Sequence, residues 1–482
     1  MSLKDYLKKI PYFSLISSLA RKKNINLWLV GGFLRDFYLK KEKIIPEEKE
    51  NFDFDFCVEK DVFSFVKEFS KEISSRYIVL DEKQGSFRVI LKRKSLIFTY
   101  DFTLMRGATL KEDLSLRDFT INTLAWDLSK NCLIDYFKAK EDIKKRKIRV
   151  IKEIVFLNDP LRILRGFSFV SFYNFKIEKK TKEVMKKYKR YLNKVSPERI
   201  NEEIFKILST GSSFRIVKEM DDLEILEEII PQIKMTKDVY QGSYHHLDVW
   251  RHSLETLKEF ELLYKRKLSK DKETFSYLEE EIAKERKRIM ILKLACLLHD
   301  IGKPLAKKIK KKKTIFHTHE KIGMQIVEEI ALNLRLSSKE KEVLKKLIYW
   351  HLRPGYLADC VSISKRAIYR FFRDLGEEAL SVILLSLSDW RATRGVLVDE
   401  KKKKKQEKIM FKLIDKYFEE KKKKPLPKIV DGYDIMKRFK LSPSPLVGEV
   451  LKRIKEEQVL GKVKSKKDAY KIAKKVIDKL HC

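Results

Sequence analysis

The stretch from Leu27 to Asp55 constrains this chain more than any other. It reads LWLVGGFLRDFYL, a polar connection, then NFDFDF. Leu27–Val30 is a short apolar run of the kind a buried strand shows. Gly31 and Gly32 allow a sharp turn and a close approach of backbone to a bound group. Phe33–Lys40 can start a helix behind them, whose first free N–H groups suit a phosphate. Asp53 and Asp55 sit two apart in an extended run, so both carboxylates point to one face. Hard oxygen ligands paired in this way suit Mg²⁺. Phosphate-binding amides beside a metal-binding pair point to nucleotide chemistry. A plain buried strand with a glycine turn and two solvated acids would use the same residues, so other segments have to decide.

Charge narrows the partners. The chain has 482 residues with 43% hydrophobic content, enough for several cored domains. Lys and Arg exceed Asp and Glu by a formal net charge of +38. A basic protein of this kind most simply meets nucleic acid, ahead of an anionic membrane surface. No apolar run approaches the roughly 20 residues of a membrane span, and the opening MSLKDYLKKIPYF has no signal-peptide core. The five cysteines, Cys57, Cys132, Cys296, Cys360 and Cys482, are scattered. That pattern fits reduced thiols in a cytoplasm.

Taken in order, residues 1–24 read as an amphipathic helix. Short β-like runs follow at Tyr77–Leu80, Phe87–Leu91 and Ser95–Thr103. After about Ile151 nearly every long segment has helical period. Asn158-Asp159-Pro160 and Ser196-Pro197-Glu198 each place a capping residue before Pro at a helix start. Lys307–Lys313 reads as a loop. The lysine runs Lys401–Lys405 and Lys421–Lys424 flank a helix at Ile409–Phe418 and mark a domain boundary, though solvated surface is the simpler reading of each run.

Asp101 lies in another extended run, SLIFTYDFTLMRG. If its strand neighbours that of Asp53 and Asp55, a third carboxylate joins the pair and two metal ions can be held. In DLSLRDFTINTLAWD, Asp118 and Asn122 are four apart and share a helix face, with Arg117 at the helix start. Such a group can hold a ribose and a phosphate; a capped amphipathic helix is the plainer reading. Asp159, Arg162 and Arg165 recur every third residue, on nearly one face. An acceptor with two donors can present a hydrogen-bonding edge to a base; the plainer reading has Asp159 only capping the helix.

The ordered motifs VGGFLRD (Val30–Asp36), DFD (Asp53–Asp55), LRDFTINTLA (Leu116–Ala125), NDPLRILR (Asn158–Arg165) and SPERINEEI (Ser196–Ile204) resemble the class II tRNA nucleotidyltransferase and bacterial poly(A) polymerase family. The resemblance implies an α+β chain: a polymerase-β-like nucleotidyltransferase head, an all-α neck, and template-independent addition of C and A to the tRNA 3′ acceptor end from CTP and ATP. It implies that Gly31, Gly32 and Arg35 serve the triphosphate and that Asp53 and Asp55 bind Mg²⁺, with Asp101 as the third catalytic acid. Arg117, Asp118 and Asn122 are then the ribose and phosphate contacts. Asp159 and Arg162 pair with the incoming base, with Arg165 nearby. Asn158 stands where the family usually has Glu, and Ser168 where many members have Arg. The connection between Asp101 and Arg117, MRGATLKEDLSL plus flanks, is shorter than in full CCA-adding members. It resembles members that add only two cytidines and leave the terminal A to a separate enzyme.

Seven of the eight histidines fall between His245 and His351. Their segments, with LSLSDWRATRG, resemble the HD metal-dependent phosphohydrolase superfamily, most closely at His299-Asp300-Ile301-Gly302-Lys303. The implied ligands are His252, His299, Asp300 and Asp389, with His319 and His351 completing a second metal site. Imidazole with carboxylate suits a divalent transition metal such as Mn, Ni, Co, Fe or Zn. His245, His246 and His317 read instead as surface or packing residues, and His481 as uninformative. In this family such domains resemble hydrolases of 2′,3′-cyclic phosphates or 2′-phosphates, or serve as scaffold.

The resulting division is a head at 1–151, a helical neck at 152–215, an HD helical domain at 216–400, a lysine-rich linker at 401–428 and basic RNA-binding helices at 429–482. The tail, from LSPSPLVGEVLKRIKEEQ onward, also resembles that of the family. The expected function is CC addition to tRNA, favoured over full CCA addition, with no membrane partner. Poly(A) polymerase, an HD phosphohydrolase with an inert head, and a non-catalytic RNA chaperone are the alternatives.

Overall fold

The computed structural model describes all residues except 1, 49–51, 95, 243–244, 311–312, 361, 398, 425 and 481–482, and excepting the side chains of 313, 479 and 480. Ser95, the middle of the Lys307–Lys313 run, His481 and Cys482 therefore lie outside the described residues. The chain divides into two compact units, one ending at Pro231 and one beginning at Gln232.

The first unit is built on a seven-stranded sheet. Its strands are β1 (Leu27–Val30), β2 (Asp53–Val58), β3 (Tyr77–Asp81), β4 (Ser86–Arg93), β5 (Leu96–Leu104), β6 (Ala125–Asp127) and β7 (Cys132–Ile134). Their order is β3-β4-β5-β2-β1-β6-β7. Only β2 and β5 run parallel; every other neighbouring pair is antiparallel. The three β-like runs read from sequence are thus all strands of one sheet. Alternation on β2 and β5 sends Phe54, Phe56, Tyr100 and Phe102 into the core. There they meet Phe65 and Phe69 of the Val62–Glu72 helix, whose rings lie 5.3 to 5.5 Å from those of Tyr100 and Phe102. Burying each such ring contributes roughly 1.5–3 kcal/mol, and these aromatics fix which face of the sheet carries the acids.

The N-terminal segment is two helices, Leu3–Leu7 and Phe13–Lys22, not one. Pro11, which has no N–H to continue a helix, and Tyr12, at a left-handed φ of 57°, break it. The turn is used: the Pro11 carbonyl accepts from the Tyr100 hydroxyl at 3.0 Å. Beyond the sheet the unit is helical. The expected neck boundary at 215 cuts the Ser213–Asp222 helix, whose Ile216, Val217 and Met220 are buried within this unit.

In the second unit, the Arg288–Leu298 helix is buried at every residue and Ala379–Ala392 at most of them. Helices apolar all round belong at the centre of a bundle, and Val249–Arg266, His319–Asn333 and Ser338–Trp350 complete it. Two lysine-rich segments differ from expectation. Lys308–Lys310 and Lys313–Ile315 pair as an antiparallel ribbon rather than forming a loop. The supposed linker begins as one helix, Glu400–Lys422, which buries Met410, Leu413, Ile414 and Tyr417. An apolar stripe at helical spacing outweighs the lysines around it, which keep their charges in water. The tail helices Gly432–Phe439, Pro445–Val459 and Lys466–Leu480 share their own small core around Ile435, Val450, Ala469 and Ala473. No helix among the described residues is long and apolar enough to cross a membrane.

Candidate active site

β2 and β5 pair with Asp55 opposite Asp101 and Asp53 opposite Thr99. Parallel neighbours in register project to one side, so the three carboxylates share a face. The adjacency that spacing alone left open is therefore present. On the far side of β5, Arg88 of β4 stands opposite Asp101 and donates to both its oxygens from Nε and Nη2, each at 2.7 Å. Asp53 is exposed at the strand end and accepts from the Thr99 hydroxyl. Burial pushes the Asp55 carboxyl above its usual range; Arg117 opposes this, and Asp101 and Asp53 add to it. A buried carboxylate raised by two neighbouring acids favours a bound cation, so the face fits a divalent metal held by hard oxygens.

The glycine turn closes on these acids. Gly31 has φ +79°, and a Cβ placed there would stand 2.8 Å from Asp55 Oδ2 and 3.3 Å from Arg117 Nη1. Both its conformation and its surroundings therefore exclude a side chain. The helix behind it runs Gly32–Lys41. A cleft of about 360 Å³ opens in front, lined by Gly31, Gly32, Arg35, Asp55, Arg106, Arg117, Asp118, Asn122, Arg162 and Arg165 among others.

The structure brings most of the expected residues together, by a different local geometry. Arg117, Asp118 and Asn122 do not share an α-helix. The Leu110–Ser115 helix ends before Arg117, and Thr120–Asn122 is a single 3₁₀ turn. Asp118 and Asn122 still meet, Asn122 Nδ2 donating to Asp118 Oδ1 at 2.8 Å. Burial works against the Asp118 charge, but Arg165 at 2.9 Å, Asn122 and the Phe119 N–H hold its carboxyl below the usual range. Arg35 donates from Nη1 to Asn122 Oδ1 at 2.8 Å and from Nε and Nη2 to Asp36. Its guanidinium lies 5.3 Å from the Phe169 ring centre and 5.5 Å from that of Tyr173.

Asp159 departs from the expected face. It follows the Ile154–Asn158 helix in an extended conformation, before Arg162 opens the next helix. It receives Arg199 Nη2 at 2.9 Å and does not line the cleft. Arg162 and Arg165 do line it, Arg162 also donating to the Leu116 carbonyl at 2.8 Å. Of the two positions that depart from the family pattern, Asn158 is exposed, while Ser168 is buried and donates to Glu203. Sequence reasoning missed Arg88, Arg106 and Asp113. Arg106 N–H and Nε both reach Asp113 Oδ1 at 3.1 Å, and Arg117 Nε lies 3.6 Å from the other oxygen. A lone Arg in the alternating run FRVIL was the available signal for Arg88.

In the second unit six side chains form two ligand sets, His252 with His299 and Asp389, and Asp300 with His319 and His351. Among the described residues these are the groups of three or more such side chains drawn within 4.8 Å. Helix ends do the positioning. His299 and His351 each follow the last residue of a helix, and His319 starts one. In all three, Nδ1 donates to a carbonyl three residues back: Cys296 at 3.0 Å, Phe316 at 2.8 Å and Ile348 at 2.6 Å. A carbonyl only accepts, so Nδ1 carries a proton and Nε2 is the nitrogen left facing the cluster, able to take a metal once unprotonated. His299 Nε2 is buried, 3.2 Å from Asp300 Oδ2 and 3.7 Å from Asp389 Oδ1. Burial disfavours its charge, yet Asp300 and Asp389 push its imidazole up to about 10. A divalent ion would satisfy the same carboxylates, so the donor set fits one. His252 meets Asp389 at 2.8 Å, and Lys303 Nζ meets Asp300 Oδ2 at 2.6 Å. His246 and His317 are exposed, and His245 packs against the cluster.

Fold and site together define a nucleotidyltransferase head with a helical region and an HD metal-binding domain. Residues 27–149 match the poly(A) polymerase head domain, 174–236 the probable RNA- and SrmB-binding site of polymerase A, and 249–418 the HD domain. The chain belongs to the class II tRNA nucleotidyltransferase and poly(A) polymerase family. It is 26% identical to a CC-adding tRNA nucleotidyltransferase of Thermus thermophilus, over 91% of both chains. It is also 26% identical to an A-adding tRNA nucleotidyltransferase of Deinococcus radiodurans, over 92% of this chain and 93% of the relative. Its fold matches that of the Thermotoga maritima CCA-adding enzyme complexed with tRNA, with a TM-score of 0.66 and 20% identity, over 100% of this chain and 99% of that one. The HD match runs through most of the Glu400–Lys422 helix.

Proposed function

We propose that this chain attaches cytidines to the 3′ end of tRNA from CTP without a nucleic-acid template, and that it stops at CC. The observation that carries the transferase reading is the pairing of Asp55 with Asp101 beside the Gly31 turn. The tRNA 3′-hydroxyl attacks the α-phosphorus of the nucleotide, and pyrophosphate leaves. Asp53 and Asp55, with Asp101 as third acid, would hold Mg²⁺, which would supply activation of the hydroxyl and neutralisation of the leaving group. Arg35 and Arg117 serve the triphosphate beside the Gly31-Gly32 turn, whose Gly32 N–H donates to Asp55, while Asp118 and Asn122, hydrogen-bonded to each other and to Arg35, hold the ribose. Arg162 and Arg165 offer donors to the base. Asp159 supplies the matching acceptor on release from Arg199. The short connection from β5 to Arg117 favours CC over CCA addition, with a separate enzyme adding A. Relatives bearing CC-adding and A-adding names match about equally well, so the assay has to discriminate.

The protein is incubated with CTP or ATP and tRNA ending before the first C, after C, or after CC. Extension by two cytidines, with no adenosine added after CC, is the expected result. A full CCA end overturns the CC reading; long A tails would make it a poly(A) polymerase.

A second activity is favoured by the two ligand sets of the HD domain. Loaded with Mn²⁺, Ni²⁺ or Co²⁺, that domain hydrolyses 2′,3′-cyclic phosphates or 2′-phosphates, trimming damaged tRNA ends before the head rebuilds them. Hydrolysis that Asp300→Ala abolishes and Asp53→Ala leaves intact is expected. No hydrolysis with any of the three metals would leave the domain a scaffold.

A further inference from the structure

His245 differs from every other histidine near the HD cluster. Its ring stands edge-on to that of His252, with centroids 4.7 Å apart and planes at 85°. Its Nδ1 is sealed from solvent and has no hydrogen-bond partner among the described residues, although the residue as a whole is only half-buried. His299, His319 and His351 are each locked by a backbone carbonyl on Nδ1, and His252 by Asp389. No such lock holds His245, and it belongs to neither ligand set. A buried polar atom without a partner is costly in a folded protein and marks a place where a ligand completes the hydrogen bonding. Lys303 is a cation close by, its Nζ held between Asp300 Oδ2 at 2.6 Å and Gln241 Oε1 at 2.7 Å. An imidazole whose buried Nδ1 lacks a partner, set beside a metal-fitting cluster and an ammonium, suits an anionic oxygen.

We propose that His245 is a substrate-contacting residue of the HD site, its ring N–H donating to a phosphoryl oxygen of a phosphate ester seated at the His252, His299 and Asp389 side. The inference rests on the hydrolase reading given above. A neutral N–H aimed at an oxygen that gains charge in the transition state stabilises that state more than the ground state. His245 thereby serves the hydrolysis without holding the metal.

The test uses the full chain loaded with Mn²⁺, and two variants. His245→Leu removes the donor; His245→Asn keeps an amide N–H close to the Nδ1 position. Three quantities are read: bound metal per chain, the affinity for inorganic phosphate by calorimetry, and kcat for 2′,3′-cyclic AMP. Leu at 245 is expected to leave metal content and its thermal stabilisation unchanged, to weaken phosphate binding at least about tenfold, and to lower kcat by roughly 10²–10³-fold. Asn at 245 is expected to recover part of both losses. Reduced metal content in His245→Leu would overturn the inference, since His245 would then be a ligand. Wild-type hydrolysis with an unaltered His245→Leu variant would overturn the inference and leave the hydrolase reading standing. A wild-type chain that binds metal but neither binds phosphate nor hydrolyses the cyclic ester would overturn both.

Discussion

Asp55 and Asp101 stand opposite each other on neighbouring parallel strands, and Arg88 holds Asp101 through both of its oxygens. The pairing places two like charges side by side on a sheet whose other face is aromatic. Arg88 offsets the charge of Asp101, but Asp55, buried beside it and raised above its usual range, still favours a bound cation, and that sets the first prediction. Asp55→Asn keeps the shape, keeps an acceptor for the Gly32 N–H, and removes one repelling charge. Nucleotide transfer should fall by about 10³-fold or more, several kcal/mol of lost metal-assisted stabilisation. Thermal stability and RNA affinity should stay near wild type. CMP incorporation and fluorescence anisotropy measure the two separately; loss of both together would mean that the residue is structural.

Gly302 follows the His299-Asp300 pair at a backbone crossing. A Cβ there would lie 2.2 Å from the His319 carbonyl oxygen and 2.5 Å from the Gly323 nitrogen. Both obstacles are backbone, so neither can swing aside. Gly302→Ala should cost about 1–3 kcal/mol, or more, and loosen the placement of His319. Urea unfolding and metal titration of the variant check this. An unchanged midpoint would contradict the close approach.

Arg288 and Glu378 form an ion pair at 2.5 Å with side-chain exposures of 5% and 9%. Breaking a buried pair leaves an uncompensated charge, so Arg288→Met should destabilise by roughly 3–5 kcal/mol. Arg288→Met with Glu378→Leu should recover most of that, because both charges then leave the interior together. A double-mutant cycle in urea gives the coupling directly.

Metal loading of the HD domain should weaken as pH falls. The ligand nitrogens bind only when unprotonated, and the carboxylates around His299 favour its proton. Equilibrium dialysis against Mn²⁺ should give up to two ions per chain near pH 8 and fewer near pH 6. Chelation should lower Tm, since an ion bound only to the folded form stabilises it. His299→Ala should abolish the pH-dependent part.

Glu224 gives a pH effect away from any candidate site. Hydrogen bonds from Lys186 and Lys189, at 2.7 and 2.6 Å, hold its carboxyl down to about 2, against an ordinary 4.5. Its folded pKa lies below the unfolded one. The stabilisation is therefore complete above about pH 4.5 and disappears as pH falls through about 2. The side chain is 46% exposed, so solvent screening keeps the stability change small. The carboxyl carbon-13 shift should titrate near 2, and Lys186→Met with Lys189→Met should return it toward 4.5.

The amino-acid sequence by itself determined the elements and the chemistry. Alternation in NFDFDF and FTYDF predicted strands with acids on one face, and the glycine pair predicted the turn. The histidine-rich segments around His299-Asp300 marked a metal cluster through the HD-superfamily resemblance they carry. These are local signals: period, backbone permissiveness and side-chain type act within a few residues. Only the tertiary structure decided which strands are neighbours, because the β2–β5 pairing joins segments separated by a helix and a hairpin. It also brought Arg88 to Asp101, set Asp159 against Arg199, and turned His245 toward His252. It broke the N-terminal helix at Pro11 and Tyr12, and it made most of the lysine-rich linker part of one packed helix. In each of these the outcome depends on partners distant in the chain, whose burial and charge no local pattern records.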